Sequence, residues 1–96
     1  MSSNERTKAE SMAEAVGVVI GAAWACDSIS QEPLQSTVDK ARDVLIAAAS
    51  DDSDAATAVN CFSAAFGIGQ AVVKSGKIDP QRVETAFTQL ERELLG

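Results

Sequence analysis

The stretch Ala15-Val16-Gly17-Val18-Val19-Ile20-Gly21-Ala22-Ala23-Trp24-Ala25-Cys26 contains no charged residue, and a second run, Ala64 to Val73, is nearly as apolar. Small residues recur at every fourth position in both: Ala13, Gly17, Gly21 and Ala25 in the first, Ser63, Gly67 and Ala71 in the second. On a helix this spacing stacks the small residues on one face and lets two backbones approach closely. Neither strand alternation nor a hairpin turn signal occurs along the chain. The two runs are therefore expected to be the central helices of an all-α fold, packed through these small-residue stripes.

Working outward, the first helix is expected over about 5–26, opening at Ser3 or Asn4 with Glu5 in its first turn, and residues 1–4 are expected to fray. Pro33 suits a helical first turn, where its missing N–H costs little, so a second helix is read over about 33–49. Its stripe is Leu34, Val38, Ala41, Leu45 and Ala48. The segment Ser50-Asp51-Asp52-Ser53-Asp54 offers several N-caps to a third helix over about 54–75, which Gly76 is placed to end in a left-handed conformation. Asp79-Pro80 then reads as cap and first residue of a fourth helix, 80–95, with Val83, Phe87, Leu90 and Leu94 on one stripe. The expectation is one domain over 1–96: a four-helix bundle with two apolar central helices, two amphipathic covering helices, short connections and mostly antiparallel neighbours.

A helix that is apolar all round must be contacted all round, and two amphipathic helices each offer only one stripe. The shortfall predicts a subunit contact, drawn from Gly17, Val18, Gly21, Trp24, Phe62, Phe66 and Ile68. A homodimer is the simplest closure, because one patch then serves both copies.

Charge narrows the partners. The net charge is −6 and the basic residues are scattered, which argues against nucleic acid and anionic membrane, since both need clustered Lys and Arg. A basic protein partner is compatible with that charge. The opening residues lack the pattern of a signal peptide, and the first apolar run, bounded by Glu14 and Asp27, is shorter than a bilayer span. The expected location is cytoplasmic, with Cys26 and Cys61 as free thiols.

The inventory for chemistry is thin. Histidine and tyrosine are absent and the two cysteines form no Cys-x-x-Cys pair. Asp51, Asp52 and Asp54 are the one dense carboxylate cluster and the candidates for a metal site. A calcium loop opening at Asp51 would need glycine and glutamate where Ala56 and Phe62 stand, so capping explains these residues better. Gly67-x-Gly69 lies inside an apolar run with no preceding strand, unlike a phosphate-binding loop. Neither a catalytic constellation nor a cofactor site is expected.

One short motif invites comparison. Asp27-Ser28-Ile29, in a loop between two helices of a small acidic chain, resembles the Asp-Ser-Leu site of acyl carrier proteins, whose serine bears a phosphopantetheine arm. The resemblance implies Ser28 as the modified residue. The chain departs from the family after that serine, where Pro33 follows closely and Lys40 and Arg42 interrupt the acidic character of the next helix. The resulting expectation is a non-enzymatic helical interaction protein, homodimeric and with an acidic surface for another protein. Its alternatives are an acidic inhibitor or immunity-type protein, a carrier modified at Ser28, and an apolar small-molecule binder.

Overall fold

Four helices in the order α1 (Lys8–Ala25), α2 (Gln31–Ala48), α3 (Asp52–Lys74) and α4 (Pro80–Leu95) make up the computed structural model, which describes residues 7–27 and 29–95. The expected caps at Ser3 and Asn4, the expected fraying of 1–4 and the candidate Ser28 lie outside the described residues. Among the described residues α1 begins later than expected, at Lys8. Thr7 is its N-cap, and the Thr7 hydroxyl accepts a hydrogen bond from the Glu10 amide at 3.2 Å. α2 begins two residues before Pro33, which takes the third helical position, still among the amides that lack an intrahelical acceptor. Asp51 caps α3 by accepting from the Asp54 amide at 2.7 Å. Gly76 follows the end of α3 at φ 76°, and Asp79 accepts from the Gln81 amide at 3.0 Å to open α4.

α1 touches all three other helices and its contact with α3 is the most extensive in the molecule, whereas α3 and α4 scarcely meet. The cross-section is therefore a flattened rhombus, with α1 and α2 across the short diagonal and α3 and α4 at the far corners. The Cα extents are 39 × 28 × 16 Å. Two helix axes about 10 Å apart, each with a Cα radius of about 2.3 Å, account for that short dimension as two layers.

The α1–α3 pair is parallel. Gly17 lies against Phe62 and Ala65, Gly21 against Phe66, and Thr7 at the start of α1 donates a hydrogen bond to Asp54 at the start of α3. The closest pair thus departs from the antiparallel arrangement expected of most neighbours. Parallel helices bring two positive N-termini together, and the Asp54 carboxylate stands beside both.

The α3 face in this contact also differs from expectation. Ser63, Gly67 and Ala71 are exposed, while Ala58, Phe62, Ala65 and Gly69 point inward. A Cβ on Gly17 would lie 2.7 Å from the Phe62 carbonyl oxygen. One on Gly21 would strike the Phe66 carbonyl, and one on Gly69 the Val18 carbonyl. On α1 the expected stripe is buried at Ala13, Gly17 and Gly21 and only half-buried at Ala25, while Ala9 extends it toward the N-terminus.

Two apolar clusters fill the interior. One gathers Ala9, Ala13, Val16, Ile20, Ala41, Leu45, Ala58 and Phe62; the other gathers Ala22, Ala23, Cys26, Leu34, Val83 and Phe87. Half-buried Trp24 packs against both, its ring 5.6 Å from that of Phe66. On α2 the stripe includes a residue that apolar spacing misses: Thr37 is fully buried, its hydroxyl donating to the Pro33 carbonyl at 2.7 Å. That internal bond removes the cost of an unpaired hydroxyl in the core.

Candidate interaction surface

Because α4 lies at the opposite corner, α3 is covered from one side only. Between its charged ends, exposed Asp52 and Lys74, the exposed residues are Ser53, Ala56, Thr57, Asn60, Ser63, Ala64, Gly67, Ile68 and Ala71, which recur in helical steps of three and four along its length. Ile68 is the most exposed large apolar residue of the described chain at 57%. Beside it, Glu14, Val18, Cys61, Ala64, Ala65 and Ile68 line an open groove of about 480 Å³ between α1 and α3. Ala15 extends the apolar surface along α1.

The residues expected at a subunit contact separate by this geometry. Gly17, Gly21 and Phe62 are buried within the chain, and Trp24 and Phe66 are half-buried against each other. Val18 and Ile68 are exposed on the groove. Small-residue spacing alone does not choose between the faces of α3, because Ala58, Ala65 and Gly69 form a second small set. Phe62, placed between Ala58 and Ala65, was the available signal, since a ring of that area marks the face that turns inward.

The acidic turn is occupied by hydrogen bonds. Asp54 accepts from the Thr7 hydroxyl at 2.7 Å, the Ser50 amide at 2.9 Å and the Ser50 hydroxyl at 3.2 Å. The Ser50 backbone bond, followed by the Thr7 hydroxyl, holds its carboxyl below the ordinary aspartate value. Asp51 is engaged as the cap. Among the described residues, Asp51, Asp52 and Asp54 do not converge into a metal-binding group of three.

Both cysteines are free thiols. Cys26 is buried, and desolvation, then the Glu84 and Asp27 carboxylates, raise its pKa; Cys61 is half-exposed in the groove. Gly17, Gly21 and Gly69, which might have opened a ligand cavity, make room for backbone instead.

By length and composition, α3 is also the described helix able to cross a membrane, and only 22% of its apolar window is buried. Compared with known proteins, the chain matches no family model, no curated sequence and no solved structure.

Proposed function

We propose that this chain is a non-enzymatic helical interaction module that associates with a second copy of itself through the outer face of α3 and the adjoining flank of α1. The observation that carries this reading is the exposed apolar surface formed by Ile68 and Ala64 on α3, which α4 leaves uncovered, with Val18 beside them on α1. Burying such a surface releases about 25 cal/mol per Å² of apolar area. Crossing a bilayer would require α3 to leave α1, against whose backbone it is seated at Gly21 and Gly69. Adsorption to anionic lipid is opposed by the net charge of −6.

The rest of the exterior supports a mixed-charge surface rather than one acidic patch for a basic partner. On α2, exposed Glu32, Asp39 and Asp43 are interleaved with Lys40 and Arg42; on α4, Glu93 is beside Arg92. Native mass spectrometry tests the proposal. The expected result is a dimer that Ile68→Asp converts to a folded monomer, with an unchanged helical circular-dichroism spectrum. A wild-type chain that remains monomeric at millimolar concentration, or that is recovered on neutral lipid vesicles in a floating fraction without dimerising, contradicts it.

A further inference from the structure

We propose that the two copies pair through α3 with the helices antiparallel and the two-fold axis beside Ala64; this arrangement rests on the self-association reading above. Exposed Ser53, Thr57, Asn60, Ala64, Gly67 and Ala71 trace a seam of alternating four- and three-residue steps, with Ile68 on its α1 side. Such a seam suits close, nearly aligned helix packing. A Cβ on Gly67 would meet nothing within 4 Å, so a neighbouring helix has open space there.

Charge chooses the occupant and its direction. From Ala55 to Val73 the helix carries no charged residue, while Asp51 and Asp52 stand at its start and Lys74 and Lys77 at and beyond its end. Asp52, Lys74 and Lys77 are exposed, and Ala64 is near the midpoint between the two ends. An antiparallel second copy sets the acidic end of each helix over the basic end of the other and opposes the two macrodipoles. A parallel copy would set like charges together at both ends. The surface is thus complementary to itself in one direction only.

The contact area bounds the strength. A 23-residue helix is about 34 Å long, and a seam about 12 Å wide on it offers roughly 400 Å² per copy. A standard stable interface buries about 800 Å² per partner. The α1 flank with Ala15 and Val18 must therefore contribute, and the dimer is expected to dissociate in the micromolar range.

The test is a charge-reversal cycle followed by sedimentation equilibrium. Asp52→Lys and Lys74→Glu are each expected to weaken dimerisation about fivefold, because symmetry repeats each pair, and the double variant to return to within about twofold of wild type. Spin labels on Lys77→Cys, in a chain carrying Cys26→Ala and Cys61→Ser, give the direction independently. The expected separation in the dimer is about 30 Å or more, because the ends of α3 at Lys74 are about 15 Å of helical rise on either side of Ala64, against about 15 Å for parallel helices. A dimer that shows neither charge rescue nor the long separation overturns the α3 arrangement and leaves self-association standing. A wild-type chain monomeric at all concentrations overturns both.

Discussion

At the scale of single residues, glycines with the same helical propensity have opposite roles. Gly21→Ala gains about 1 kcal/mol of intrinsic helix preference, but its Cβ strikes the Phe66 backbone. Forcing α1 and α3 apart outweighs that gain, and the expected net loss is about 2 kcal/mol in chemical denaturation. Gly67→Ala meets open space and is expected to stabilise the chain by up to about 1 kcal/mol at concentrations too dilute for association. Equal losses at both positions would contradict the assignment of the inward face. The thiols are a second contrast: Cys61 is expected to react with a maleimide well before buried Cys26 in the folded protein, and mass spectrometry of the singly modified chain identifies which one carries the label. Sequence alone could not rank these glycines, because small residues occur on more than one face of α3, and a single stripe cannot reveal which carbonyl lies opposite.

At the scale of elements, several boundaries were legible from side chains that interact locally, although the Thr7 cap of α1 was not among those read. Asp51, Gly76 and Asp79 act at the helix ends where their chemistry places them. The partnership of α1 with α3 was legible from composition, but its parallel direction was not. It follows from two short connections, 26–30 and 49–51, each of which reverses the chain and so brings the starts of both helices together, where Thr7 meets Asp54 across 47 residues of sequence. This long-range contact makes a pH prediction. Hydrogen bonds depress the folded-state pKa of Asp54, so its contribution is fully present above the unfolded aspartate value, about 3.9, and is lost as pH falls through the folded value. Asp54→Ala is expected to lower the thermal midpoint at neutral pH and to converge on wild type in acid. An unchanged difference across that window would show that the carboxylate's charge state does not matter to the junction.

At the scale of the whole molecule, four-helix architecture followed from hydrophobic periodicity, and the shortage of cover followed from counting apolar stripes. Where that shortage falls was not legible, because it depends on the rhombic cross-section that sends α4 away from α3. Of the residues expected at a subunit contact, Val18 and Ile68 are consequently left exposed, while Gly17, Gly21 and Phe62 are used inside the chain. The account's central claim is that this uncovered face is where the protein associates. An NMR dilution series tests it most directly, since assigned amide signals report the contact residue by residue. Raising the concentration is predicted to shift Thr57, Asn60, Ala64, Ile68 and Ala71 of α3 together with Ala15 and Val18 of α1, leaving the exposed faces of α2 and α4 unmoved. Concentration-independent spectra, or shifts confined to α2 and α4, would contradict the account.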